Sequence, residues 1–145
     1  MKAKKVLIIL VLLFAALQLV PVERTNPPVK SDLKASIEVN NILKNSCYDC
    51  HSNETKWPWY SYVAPVSFFL ADHVEHGRKH LNFSEWGSLD SAKQKKKLHE
   101  IVEEIEEGEM PLSSYLLLHS NAKLTESDIK IIKEWAENYK YGNQN

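Results

Sequence analysis

The residues with the clearest chemical potential are Cys47, Cys50 and His51, which lie in the run Cys47-Tyr48-Asp49-Cys50-His51. A C-x-x-C-H run is the attachment signature of c-type haem. Two thiols separated by two residues can form thioethers with the two vinyl groups of one porphyrin, and the adjacent imidazole then lies under the iron as the proximal ligand. The run therefore predicts one covalently bound haem c, attached at Cys47 and Cys50 and ligated by His51.

Three other uses of the same cysteines remain open. A Cys47–Cys50 disulfide would close too small a loop to stabilise the chain much, and a thioredoxin-like redox pair is expected beside a βαβ pattern that the sequence lacks. A zinc site is the stronger alternative, because Cys47 and Cys50 with His76-x-x-x-His80 supply the ligand types and pair spacings of a Cys₂His₂ site. The long gap between the two pairs weakens this alternative.

The candidate for the sixth iron ligand is Met110, the one methionine besides Met1. It follows Gly108, a helix stop signal, and precedes Pro111, which favours an extended backbone that can aim the side chain inward. A thioether is a soft ligand that favours Fe(II), and this suits an electron carrier. The rival imidazole ligands are His73, His76 and His80, of which His73 lies on the apolar face of a predicted helix over residues 62–79.

An aromatic run follows the cysteines, and a porphyrin needs a large aromatic enclosure close to its attachment point. We therefore expect Trp57, Trp59 and Tyr60 to line the haem site. Arg78 and Lys79 could face the haem propionates, although a solvated helix end is the simpler expectation for both.

One globular domain is expected from 145 residues, of which 43% are hydrophobic and 26% are charged. Three of the 18 Lys and Arg residues fall within the first 20 positions, so the rest of the chain carries 15 basic against 19 acidic residues. This balance argues against nucleic-acid binding, which requires a basic surface. Four widely spaced glycines without a phosphate-cradling motif also argue against a nucleotide enzyme.

Residues 1–22 are typical of an export signal or an N-terminal membrane anchor. The apolar residues 6–20, interrupted only by Gln18, follow a positive start made of Lys2, Lys4 and Lys5. Because no clean small-residue cleavage site follows, we favour an anchor in the inner membrane over a removed signal peptide. The positive-inside rule then places everything after Pro21 on the periplasmic side of that membrane, where a cleaved chain would be soluble.

The proline-containing residues 23–32 are expected to form an extended linker to a domain over residues 33–145. This domain is predicted to be all-α, because no strand-like alternation occurs and apolar residues recur at helical spacing. The predicted helices cover residues 33–44 and 62–79, a third stretch that reaches residue 107, and a last one after the capping-box-like Thr125-Glu-Ser-Asp128. Gly77 is expected to loosen the end of the second helix, and Gly108 to stop the third.

With these residues in view, the chain resembles class I c-type cytochromes and, more closely, the small single-haem "haem-binding domain" family of exported bacterial proteins. The resemblance covers roughly residues 33–140. Besides the C-x-x-C-H run it rests on Trp57-Pro-Trp-Tyr-Ser61, Gly108-Glu-Met-Pro111 and Leu124-Thr-x-x-Asp-Ile129. It implies a cytochrome c fold whose first and last helices cross and whose haem edge is partly exposed for electron exchange. The stretch from His73 to Trp86 has no counterpart in small cytochromes.

The predicted function is a monohaem c-type cytochrome that passes single electrons between redox partner proteins, with no substrate chemistry of its own. A haem peroxidase-like enzyme is the alternative, and it would need a labile sixth position with an acid–base residue beside it. A haem-based ligand sensor is the third possibility, which a chain of 145 residues without an output domain disfavours.

Overall fold

The computed structural model describes residues 2–140, and every regular element in this range is helical. The α-helices are α1 (Lys2–Leu17), α2 (Ile37–Ser46), α3 (Tyr48–His51), α4 (Val66–His80), α5 (Ser91–Glu106), α6 (Ser113–Leu116) and α7 (Glu126–Glu137). Three 3₁₀ turns cover Trp59–Tyr62, Phe83–Ser88 and Ser120–Ala122. The all-α prediction is confirmed over this range. Met1 and residues 141–145, the end of the predicted domain, lie outside the described residues.

Side-chain caps set the starts of three helices of the domain, α2, α5 and α7. Asp90 accepts a hydrogen bond from the backbone N–H of Lys93 at 2.8 Å at the start of α5. Thr125 and Asp128 form a reciprocal capping box at the start of α7, as their spacing predicts. The α2 helix begins four residues later than predicted, after its own cap Ser36.

The core lies where α2, α5 and α7 bury their apolar stripes against one another. Phe83 and Trp86, both in the 3₁₀ turn Phe83–Ser88, are its largest fully buried side chains. Phe83 stacks on Tyr48 with ring centroids 5.1 Å apart, and Trp86 Nε1 donates a hydrogen bond to the Tyr139 hydroxyl at 2.7 Å. The Tyr48–Phe83 stack therefore anchors α3 directly to the core.

The segment 23–32 contains no helix or strand, and it is hydrogen-bonded along the surface of the domain. Asn26 Nδ2 donates to the Thr55 carbonyl at 2.9 Å, and Asn53 Nδ2 donates to the Pro28 carbonyl at 3.0 Å. The backbone N–H groups of residues 30 and 31 donate to the carbonyl of Ser84. These bonds make the segment part of the domain rather than a free tether.

The first helix, α1, buries none of its residues. Its apolar side chains from Val6 to Phe14 are each about half exposed or more. Among residues 2–140, no helix is long and apolar enough to cross a membrane. The chain leaves α1 through Gln18, whose side-chain amide donates to the carbonyl of Ala64 and accepts from the N–H of Ala64.

Candidate functional site

The C-x-x-C-H run occupies one tight helical turn. Cys47 ends α2, and its carbonyl accepts hydrogen bonds from the N–H groups of Cys50 at 3.1 Å and of His51 at 2.9 Å. Residues three and four positions apart on a helix lie on the same side. The turn therefore presents both sulfur atoms and the imidazole together.

These three residues line a cavity of about 660 Å³, a size typical of cofactor sites. Its other walls come from α4, from α5 and from residues 110–115. Met110 lies in this wall, 59 positions after His51 in the sequence. The structure therefore brings the predicted attachment residues and the predicted sixth ligand to one cavity. Two thiols, one imidazole and one thioether form a donor set that fits haem c.

The imidazole of His51 is held in one tautomer by two backbone carbonyls. Its Nδ1 lies 3.0 Å from the carbonyl oxygen of Gly77 and 3.2 Å from that of Leu81. Carbonyl oxygens only accept, so Nδ1 carries the proton and Nε2 keeps its lone pair. Burial is the main influence on the group and lowers the pKa of His51, which keeps the ring neutral. A neutral imidazole oriented through its second nitrogen is the form that ligates a metal.

Gly77 lets α4 approach this turn closely enough to make that bond. A Cβ at position 77 would lie 2.6 Å from the carbonyl oxygen of Cys50. The expectation that Gly77 loosens the end of the helix is wrong, because α4 continues through it to His80. Because Gly77 has no side chain, α4 can pack closely against the C-x-x-C-H turn. A sequence pattern does not reveal this reason for a glycine at position 77.

The two cysteines are unpaired thiols, and each is partly buried. Burial raises the pKa of the Cys47 thiol to about 12 and that of the Cys50 thiol to about 11. No group of three or more Cys, His, Asp or Glu side chains within residues 2–140 is arranged to hold a metal ion. The geometry therefore gives the Cys₂His₂ zinc alternative no support.

Met110 is half-buried in a turn that folds back onto the end of α5. Gly108 adopts φ +75°, the left-handed conformation that glycine tolerates best, and stops the helix as predicted. The N–H groups of Glu109 and Met110 then both donate to the carbonyl of Glu104, at 3.0 and 3.1 Å. This local bonding sets where the thioether enters the cavity wall.

The three rival histidines also line the cavity, on one stripe of α4 at positions 73, 76 and 80. All three are exposed. The Nδ1 atoms of His73 and His76 lie 2.7 and 2.9 Å from carbonyls one turn earlier, so each donates from Nδ1 and leaves Nε2 free. The cavity therefore contains imidazoles as well as a thioether.

Tyr115 and Asp49 form a pair in the cavity wall that the sequence analysis did not identify. The Tyr115 hydroxyl donates to Asp49 Oδ2 at 2.8 Å, and the other carboxylate oxygen accepts from the N–H of Lys56 at 3.0 Å. Tyr115 also stacks on His119 with ring centroids 4.1 Å apart. Burial, and next the bond to Asp49, raise the pKa of Tyr115. The pair ties α6 to the C-x-x-C-H turn across 66 positions, and no sequence signal links them.

The predicted aromatic wall is not brought to this cavity. Trp57 lines a separate cavity of about 620 Å³ between the linker and α4. Trp59 is 77% exposed, and the hydroxyl of Tyr60 lies 3.4 Å from His119 Nε2. Phe83 and Tyr115 are the aromatic residues that line the cavity with the cysteines. The three predicted residues pack around the loop after the cysteines, beside the site.

Arg78 and Lys79 also lie away from the cysteine cavity. The Arg78 guanidinium donates to the carbonyl of Ser52 at 2.7 Å and also to Thr25, Asn26 and Thr55. Lys79 forms an exposed ion pair with Glu75. Arg78 therefore fastens the linker to the loop after the cysteines, and neither residue faces the cavity that contains the cysteines.

Comparison with known protein families gives one match. A family model described as "Haem-binding domain" matches residues 12–138 of this chain. Comparison with curated proteins and with solved structures found no match.

Proposed function

Since this chain belongs to the haem-binding domain family, we propose that it is a monohaem c-type cytochrome that transfers single electrons. One observation carries the proposal: two thiols, a neutral imidazole with a free Nε2 and a thioether line one cavity of about 660 Å³. When bound, haem supplies the one-electron Fe(III)/Fe(II) couple. Cys47 and Cys50 would hold it by thioethers, formed as each S–H adds across a vinyl group, and His51 and Met110 would ligate the iron.

The protein's own residues contribute by positioning the iron ligands. The carbonyls of Gly77 and Leu81 fix the imidazole of His51, and such partners keep a ligand oriented and basic. Met110 supplies a soft sulfur, which favours the reduced iron and raises the potential. With His51 and Met110 both holding the iron, the site would change little between oxidation states, which suits a carrier.

The edge of the cavity carries charged groups that suit the two propionates of a haem. Lys96 and Lys97 line it from α5, and His76 and His80 line it from α4. The Lys97 ammonium is partly buried and lies 2.7 Å from Glu100. We propose that Lys96 and Lys97, rather than Arg78, contact the propionates, because anionic groups require nearby donors.

We propose that the domain functions on the periplasmic side of the inner membrane, where haem c is attached and where redox partner proteins are available. Residues 6–20 would retain the chain at that membrane, with the three N-terminal lysines on the cytoplasmic side. Fractionation tests this placement. Release without detergent, together with a mature N-terminus after position 15, would show a soluble periplasmic protein instead.

A haem peroxidase-like or ligand-sensing function is the second candidate. It is supported by the exposed imidazoles of His73, His76 and His80 in the cavity wall, which can act as acid–base groups beside an open sixth position. Rapid binding of cyanide or peroxide to the oxidised wild-type protein would favour this function. Resistance to both would favour the electron carrier.

Acid–acetone extraction tests covalent attachment, because a thioether-bound haem stays with the protein. Met110→Ala tests the sixth ligand and is expected to abolish the methionine-to-iron charge-transfer band of the oxidised protein, lower the potential and permit fast cyanide binding. His73→Ala is the matched control on the facing helix and should leave the band intact. If the wild type lacks the band and His73→Ala opens the site, the ligation is bis-histidine.

A further inference from the structure

Four large apolar side chains form an exposed surface at the N-terminal end of α4, and we call Trp59, Tyr62, Val66 and Phe69 the aromatic patch. Their exposed fractions are 77%, 60%, 45% and 66%. Trp59 and Tyr62 are three positions apart on a 3₁₀ turn, and Val66 and Phe69 are three apart on α4, so each pair shares a side of its element. The 3₁₀ turn packs directly against α4. Apolar surface of this kind, left uncovered in a chain, indicates an interaction site.

The apolar N-terminal helix joins the domain at this patch. Gln18, just after α1, makes two hydrogen bonds with the backbone of Ala64, between the two halves of the patch, at 3.0 and 3.3 Å. Arg24 donates to the carbonyl of Ser61 at 3.2 Å, and its guanidinium lies over the ring of Tyr62, 4.5 Å from the centroid. The chain that leaves α1 is therefore bonded to residues 61–64.

We propose that the aromatic patch rests on the phospholipid surface of the membrane that holds residues 6–20. The inference depends on that retention, which belongs to the proposed function. The patch is continuous with α1, whose exposed apolar side chains require lipid or another apolar cover.

The length of α1 gives a physical reason for close contact. Its 16 residues extend about 24 Å, which is shorter than the roughly 30 Å hydrocarbon core of a bilayer. A short apolar segment is accommodated by local thinning and by drawing its flanking residues into the interface. Here the flanking residue Gln18 is bonded to Ala64, so the patch would be drawn toward the interface with it.

The chemistry of the patch matches the headgroup level. Tryptophan and tyrosine prefer this depth because one end of each side chain is apolar and the other is polar. The cationic Arg24 above Tyr62 suits lipid phosphates. Beyond Phe69 the exposed stripe of α4 continues through His73 and His80, which line the cysteine cavity. The helical rise from Phe69 to His80 is about 17 Å, so the cavity lies within that distance of the patch along the helix axis.

Site-specific photocrosslinking in the full-length chain tests the contact. Benzoylphenylalanine replaces Trp59 or Phe69 in the patch, or Leu117, which is 82% exposed and lies outside it. After irradiation of membranes from producing cells, we expect phospholipid adducts at positions 59 and 69 at a yield several-fold above that at position 117. All three positions are exposed, so the substitutions leave the core unchanged.

Several outcomes would overturn the inference: no lipid adduct at 59 and 69, an equal yield at 117, or adducts that join the patch to a second copy or to another protein. Recovery of the chain as a cleaved, soluble form would also overturn it. Haem staining of the same samples reports on the cytochrome assignment separately. Lipid adducts on a chain without covalent haem would leave the patch supported and refute the cytochrome.

Discussion

Replacing Gly77 with alanine tests the contact that orients His51. The added Cβ would lie 2.6 Å from the carbonyl oxygen of Cys50, whereas ordinary contacts begin at about 3.4 Å. The obstacle is backbone, so no side-chain rotation relieves it. The α4 helix must move away from the C-x-x-C-H turn by about 0.8 Å, which would stretch the 3.0 Å bond between His51 Nδ1 and the Gly77 carbonyl beyond hydrogen-bonding distance.

The expected cost follows from three contributions. Overpacking of this kind costs about 1–3 kcal/mol in free energy of unfolding. Loss of the hydrogen bond from His51 to Gly77 costs about 1 kcal/mol more. The higher helix propensity of alanine returns about 1 kcal/mol. Gly77→Ala should therefore lower the free energy of unfolding by about 2 kcal/mol, or roughly 6 °C in Tm for a chain of this size.

Thermal unfolding of the holoprotein measures this effect, and the haem content per chain shows whether the proximal side is disturbed. Gly108→Ala is the control, because the same atom added there meets nothing within 4 Å. The control should lose about 1 kcal/mol through the strain of its positive φ alone and should retain full haem content. A Gly77→Ala protein as stable as wild type, with full haem content, would refute the close approach of α4 to Cys50.

Two further predictions concern single side chains. Arg78→Ala removes the bonds that fasten the linker at Asn26, so it should lower the free energy of unfolding by about 2 kcal/mol and speed proteolysis within residues 23–30. Lys79→Ala is the control, because it breaks only an exposed ion pair and should change the free energy of unfolding by under about 0.5 kcal/mol. Tyr115→Phe should cost about 1 kcal/mol at pH 8 because the bond to Asp49 is lost. Since the folded state raises the pKa of Tyr115, that advantage of wild type is complete below about pH 10 and shrinks above it. Urea unfolding at several pH values measures the difference, and a gap that widens with pH would contradict the argument.

The helical elements were predictable because their signals are local. Asp90 and the Thr125–Asp128 pair cap helices through bonds to groups three residues away, and Gly108 stops α5 through its own backbone. The burial of Phe83 and Trp86 was not predictable, because their short 3₁₀ turn has no apolar periodicity. The sequence predicts an extended linker, but the bonds of this segment to Thr55 and Ser84 depend on surfaces that only the folded domain presents.

The aromatic run after the cysteines shows the limit of arguing from proximity. Trp57, Trp59 and Tyr60 are close to Cys50 in sequence, yet the loop turns them toward the linker, the solvent and His119. Tyr115, 65 positions after Cys50, lines the cavity because a carboxylate within the C-x-x-C-H turn bonds its hydroxyl. Chain distance predicts contacts within a helical turn but not across a loop.

Local spacing alone brings Cys47, Cys50 and His51 together, because residues three and four positions apart within one helical turn share a side whatever surrounds them. The tertiary structure decided what surrounds them. Met110 and the α4 histidines reach the same cavity only through packing of distant elements, and the tautomer of His51 depends on carbonyls 26 and 30 positions away. The exposed patch likewise lies beside the end of α1 through the bonds of Gln18 to Ala64. Contacts within one helical turn can be predicted from local spacing. Contacts between distant residues require the folded backbone, since they leave no periodic signal in one sequence.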